Sequence, residues 1–251
     1  MTDKSRGSVL GVGLALLMAG CESPVSPSFS GEGAVVLRIA AAGSSGGSTA
    51  AAPDTVRLHG DVLVLSSVEL VLRRIELDPV GDRDCGDSRS SGGHGRDDDD
   101  GCGKIAIGPV LVRLWPGAGR AHVVRVRVPV GAYEEIEFEV HKPDDDTPED
   151  RAFLQVHPDL RRVSIRVRGT FNGQPFTWVT DLNEEQEVEF STPFVVEAGV
   201  ETELVLMVDV RGWFQVGGRL VDPVTALKGQ VNEQVVRNNV RLSVRAFKTG
   251  G

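Results

Sequence analysis

Aromatic side chains make up 5% of this chain, with one tyrosine and three tryptophans among its 251 residues. Trp115, Trp178 and Trp213 are scattered, a distribution that reads as core packing before it reads as a platform for sugar. Histidine is equally sparse. His59, His94, His122, His141 and His157 lie far apart, and none forms His-x-His or His-Glu-x-x-His. There is no Gly-x-Ser-x-Gly elbow and no glycine-rich phosphate loop. The usual hydrolase, zinc and nucleotide signatures are therefore absent, and neither an enzyme nor a resident cofactor is expected. No apolar run reaches the roughly twenty residues that a membrane-spanning helix needs. Positive charge is also short: 27 Lys and Arg face 36 Asp and Glu, for a formal charge of −9. An acidic chain is a poor electrostatic partner for nucleic acid or anionic lipid.

What is present begins at the N-terminus. Lys4 and Arg6 precede a short apolar run, Val9 to Met18, and then Met18-Ala19-Gly20-Cys21. A basic start, a short apolar stretch and small residues before a cleavage point describe a secretory signal. The cysteine placed directly after them resembles the bacterial lipobox, which implies cleavage before Cys21 and a lipid on its new N-terminus. An ordinary signal peptide with a chance cysteine is the bland alternative. Glu22 follows the cysteine, which under the sorting rule known for enteric bacteria implies the outer membrane. On this reading residues 1–20 are the signal peptide and 21–32 the lipidated cysteine and a Ser/Pro-rich tether. The partner is then the membrane, through the lipid, with a carbohydrate or an envelope protein as candidate ligand.

Three cysteines are present. With Cys21 acylated, Cys85 and Cys102 remain, and an exported chain meets an oxidising compartment. A disulfide between them would close a loop of sixteen intervening residues. That closure is worth about 3 kcal/mol in the chain-entropy model. Zinc is the rival, but His94 is the only nearby histidine.

The enclosed stretch ends in Asp97, Asp98, Asp99 and Asp100, and a second acidic run holds Asp144, Asp145 and Asp146. Closely spaced aspartates in a turn can supply calcium with oxygen ligands. Neither run has the alternating spacing of an EF-hand, and adjacent charges repel, so a solvated acidic loop is the competing reading. Calcium is thus the one candidate ion. The expected function is a non-catalytic binding or structural module of the cell envelope, with a calcium-dependent adhesion or assembly module as the alternative and an enzyme using the acidic loop residues as the third reading.

The bulk of the chain alternates with period two. YEEIEFEVHK (133–142) sets Ile136, Phe138 and Val140 against Glu135, Glu137 and Glu139, the pattern of a half-buried strand. VLVLSSVELVLRRIEL (62–77) alternates with a slip at Arg73-Arg74 that suggests a bulge. Asn172-Gly173 between two alternating runs predicts a type I′ hairpin. Tyr133, after a glycine at a strand entry, is expected to anchor a corner through its hydroxyl. No helix-period segment interrupts the strands. The expected fold is all-β, an antiparallel sandwich over 33–214 with an acidic insert at 82–103. At the end, Asp222-Pro223 reads as a helix start, and Val236, Val240, Val244 and Phe247 as one stripe of an amphipathic helix over 232–247, within a C-terminal turn and helix at 215–251.

Three segments also carry a family likeness. PVGAYEEIEFEV (129–140), VELVLRRIEL (68–77) and FVVEAGVETELVLMVDV (194–210) resemble the DUF4382-type, carbohydrate-binding-like sandwich of bacterial lipoproteins, over roughly residues 62–211. The resemblance implies the fold and the compartment and carries no catalytic residue with it.

Overall fold

The computed structural model describes residues 31–42, 54–81, 108–117 and 120–248. Cys21, Cys85, Cys102 and Asp97 to Asp100 lie outside the described residues. In chain order the strands are β1 (Glu32–Ala41), β2 (Asp54–Leu58), β3 (Asp61–Pro79), β4 (Val110–Leu114), β5 (Ala121–Pro129) and β6 (Gly131–Val140). Helix α1 (Pro148–Val156) follows, then β7 (Ile165–Phe171), β8 (Gln174–Thr180), β9 (Glu184–Val196) and β10 (Glu201–Val208). The short pair β11 (Gln215–Val216) and β12 (Arg219–Leu220) precedes α2 (Glu233–Arg241) and β13 (Val244–Lys248).

Two sheets form the sandwich. The smaller has the order β13-β10-β1-β5; the larger runs β8-β7-β3-β6-β9, with β2 and β4 also paired to β3. Their apolar faces share one core. Leu37 and Ile39 of β1 and Leu204 and Leu206 of β10 are buried with Leu70 and Leu72 of β3, as sandwich packing requires. The all-β sandwich expected from the alternation is therefore the fold, with one departure: β1 and β10 pair in parallel. Parallel neighbours need a long connection, and here the entire larger sheet serves as the crossover between them.

β3 is nineteen residues long and organises the larger sheet. Its first half pairs with β2 and β7, its middle with β4 and its second half with β6. The slip at Arg73-Arg74 is a bulge: the β3–β6 register shifts between Arg73 and Glu76, and Arg74 sits at φ 51°. Val71 faces away from the sandwich and packs with Leu111, Phe153, Leu154 and Leu160 in a second small core beneath α1.

Local features follow their residues. The β7–β8 hairpin turns on Asn172 (φ 49°) and Gly173 (φ 80°), the conformation of a type I′ turn. Asn172 Oδ1 also accepts from the Val62 N–H at 2.8 Å, tying the hairpin to β3. Gly169 is required by proximity, because a Cβ there would stand 1.9 Å from the Val64 carbonyl oxygen. The Tyr133 hydroxyl donates to the Pro129 carbonyl at 2.7 Å while its ring stacks on Phe194, so this tyrosine anchors its corner as expected. Trp178 and Trp213 are both buried in the core.

Two expectations are corrected. The helix read over 232–247 ends at Arg241, and Val244 to Lys248 form β13, antiparallel to β10. Val236 and Val240 do face the core from α2, but the open edge of β10 offers the following residues a hydrogen-bonded ladder, and the β-branched Val244 takes it. Asp222-Pro223 does start a helical turn, with Asp222 capping the Val224 N–H at 3.0 Å, but the turn is a short 3-10 segment, Pro223–Ala226. Helix α1 was not anticipated. Its start is nevertheless written in the sequence: Thr147 caps the Asp150 N–H at 3.1 Å, Pro148 occupies the first turn, and Glu149 and Asp150 meet the positive helix end.

Replacing Tyr133 by phenylalanine keeps the stacking and removes the hydroxyl bond. The expected loss is about 1 kcal/mol, seen in thermal denaturation as a fall in Tm of roughly 2–4 °C.

Candidate functional site

The outer face of the larger sheet gathers carboxylates in register. Directly opposed across β6 and β9 are Glu135 and Glu189, Glu137 and Glu187, and Glu139 and Glu185. On the other side of β6, Asp78 faces Glu135, Glu76 faces Glu137, and Arg73 faces Glu139. Opposed residues share a face, and like charges so placed destabilise a sheet. The effect reaches Glu135, whose carboxyl is pushed above its ordinary value by desolvation and then by Glu187, Asp78, Glu189 and Glu134. The alternation on each strand is legible in YEEIEFEV and EQEVEF. That the two rows lie side by side depends on the pairing register, which the alternation does not state.

At one end the rows open into a polar groove of about 250 Å³ lined by Arg73, Arg74, Glu139, Asn183, Glu184 and Glu185. Most of these groups are held by neighbours. Arg73 forks onto Glu139, Nε to Oε2 at 3.0 Å and Nη2 to Oε1 at 3.3 Å. Arg241, at the C-terminal end of α2, forks onto Glu184 and holds its carboxyl below the usual range. Asn183 Oδ1 accepts from the Lys142 N–H at 2.9 Å. The bulge in β3 sets Arg74 in the left-handed region, exposed at the groove. Behind Arg241, Arg237 and Lys228 both bind Asp181, at 2.9 and 2.6 Å, and depress its carboxyl to about 2, Lys228 contributing most. Arg237 and Arg241 thus dock α2 onto Asp181 and the start of β9.

Behind Glu139 is a buried histidine–carboxylate pair. His141 Nε2 lies 2.8 and 3.0 Å from the two carboxylate oxygens of Asp150, and both residues are nearly inaccessible. Acceptor oxygens on that side place the proton on Nε2. His141 Nδ1 stands 3.4 Å from Glu139 Oε1, within ion-pair reach but without hydrogen-bond geometry. The pair joins the end of β6 to the first turn of α1. Buried as it is, the pair acts as a strut between the two elements.

Another charged cluster is centred on β3. Glu69 is buried on β3 and meets Arg166 at 2.6 Å, Arg168 at 3.2 Å and Arg113 at 3.4 Å; Arg166 also binds Asp159 at 2.6 Å. These contacts fasten the segment after α1 to the sheet.

Asp144, Asp145 and Asp146 form the approach to α1. Asp144 Oδ1 accepts from the Asp146 N–H at 3.1 Å, and Asp145 pairs with Arg161. That backbone bond is the main reason the Asp144 carboxyl lies below its ordinary value. Among the described residues no three His, Cys, Asp or Glu side chains are grouped to hold a metal ion. Adjacent aspartates are visible in the sequence, whereas the glutamate rows become adjacent only through the pairing of β6 with β9. No family model, curated protein or solved structure matches this chain.

Glu187→Lys places a cation opposite Glu137. It should raise stability by about 0.5 kcal/mol and Tm by roughly 1–2 °C. Added salt screens like charges, so it should raise the Tm of the wild type more than that of the variant. A variant that melts lower than wild type at low salt contradicts the acidic face.

Proposed function

We propose that this is an exported cell-envelope protein, anchored through lipid on Cys21, that acts as a non-catalytic binding module for a basic polypeptide. The observation that carries the reading is the opposed glutamates of β6 and β9. Around Glu135 the crowding of carboxylates is unfavourable in the free protein, and a cationic surface laid over the exposed Glu185, Glu187 and Glu189 converts it into attraction. Binding sites commonly keep such locally unfavourable arrangements where function uses them. The lipid tether supports the same reading, since a module held at a membrane by its N-terminus is free to present a sheet face to neighbours. The second reading, calcium, has only that negative charge in its favour, because no three carboxylates among the described residues are grouped to hold an ion.

The test is titration of the purified protein with the peptide Lys-Ala-Lys-Ala-Lys-amide and, separately, with calcium chloride. The basic-partner reading expects peptide binding that weakens about tenfold, or roughly 1.4 kcal/mol, between low and physiological salt and is lost in the Glu187→Gln, Glu189→Gln double variant. Calcium binding that displaces the peptide and vanishes in that variant would support the second reading. No binding of the peptide at low salt rejects the first.

A further inference from the structure

The acidic rows have a defined end, and the end is chemically different. Arg74 is an arginine in a backbone conformation that glycine adopts freely and L residues rarely do. The bulge that imposes this conformation also aims the residue at the groove. Among the described residues Arg73 is committed to Glu139 and Arg241 to Glu184. Arg74 has no such partner, and neither has the Glu185 carboxylate on the opposite wall. The groove therefore offers one uncommitted guanidinium beside one uncommitted carboxylate. An isolated anion would be repelled by the rows. A ligand that carries a carboxylate next to cationic groups would not.

The spacing narrows this further. Glu185, Glu187 and Glu189 are exposed and alternate along β9, so their side chains repeat every ~6.8 Å. An extended peptide with a lysine at every second position has the same repeat. Arg74 lies about 10 Å from the β9 row, two strand spacings away, much of which its own side chain spans. We propose that the groove captures the free C-terminal carboxylate of an extended basic peptide, with Arg74 forking onto the carboxylate and the β9 glutamates receiving the lysines. This rests on the binding reading above and adds to it an end and a direction. Guanidinium–carboxylate forks are the strong, oriented form of such contacts, and capture of a chain terminus is an established mode of peptide recognition.

The experiment compares Lys-Ala-Lys-Ala-Lys as the free acid and as the amide. A merely negative surface prefers the amide, which carries one more net positive charge. Capture at Arg74 predicts the reverse, with the free acid binding about fivefold tighter. Arg74→Gly should abolish that preference while leaving amide binding intact and Tm unchanged or raised, since glycine accepts φ 51° without strain. Arg74→Asn, which also tolerates this conformation, should behave in the same way. Equal or tighter binding of the amide by the wild type overturns the proposal and leaves the acidic-face reading standing, as does a preference that survives both substitutions. Failure of both peptides to bind overturns the two together.

Discussion

The register of β3 against β6 is the constraint on which the rest depends. A slip of one residue would turn every side chain of a strand to the opposite face. Between Arg73 and Glu76 the chain takes such a shift by a bulge, and both halves of β3 remain apolar inward: Leu70 and Leu72 before it, Ile75 and Leu77 after it are all in the core. The same step keeps Glu76 and Asp78 outward, in line with Glu137 and Glu135. Because β9 is registered on β6, one backbone irregularity aligns carboxylates across three strands and turns Arg74 toward the groove at their end.

The charged groups of the structure fall into two classes by what surrounds them. Glu69, Asp150 and Asp54 are buried, and each is met by a cation or a histidine: Arg166, His141 and Arg211. These pairs hold segments in place, and stripping one partner would leave an uncompensated buried charge. The β9 glutamates differ: Glu185, Glu187 and Glu189 are exposed. They face like charges on β6 and are unnecessary for closing the core, which Ile136, Phe138 and Val140 already provide. A feature that the fold does not need, and that weakens it slightly, is best accounted for by something outside the fold.

The sequence disclosed whatever was local. Asn172-Gly173 made a hairpin because only residues tolerant of positive φ fit the turn. Arg73-Arg74 marked the bulge by breaking an alternation, and Tyr133 marked its corner by following a glycine at a strand entry. The helix start at Thr147-Pro148 is equally local, but it stands beside a run of aspartates that has the composition of a solvated acidic loop. The non-local features were closed to inspection. Val244 and Phe247 continue the stripe of α2 in spacing, and only the waiting edge of β10 makes Val244 to Lys248 a strand. The parallel pairing of β1 with β10 joins residues more than 160 positions apart. The glutamate rows belong to the same class, since each strand shows its own alternation and says nothing of its neighbour.

The most direct measurement is the titration of the Glu135 carboxyl in the folded protein, followed by NMR. Desolvation together with the facing carboxylates predicts a pKa above the ordinary glutamate value, brought part of the way back in the Glu187→Gln, Glu189→Gln variant. Since the folded value is raised, protonation favours the fold, and stability should decline as pH climbs through the interval between the unfolded and folded values. A Glu135 that titrates at or below the ordinary value would mean that the rows are not opposed as described, and both the acidic face and the binding built on it would fall.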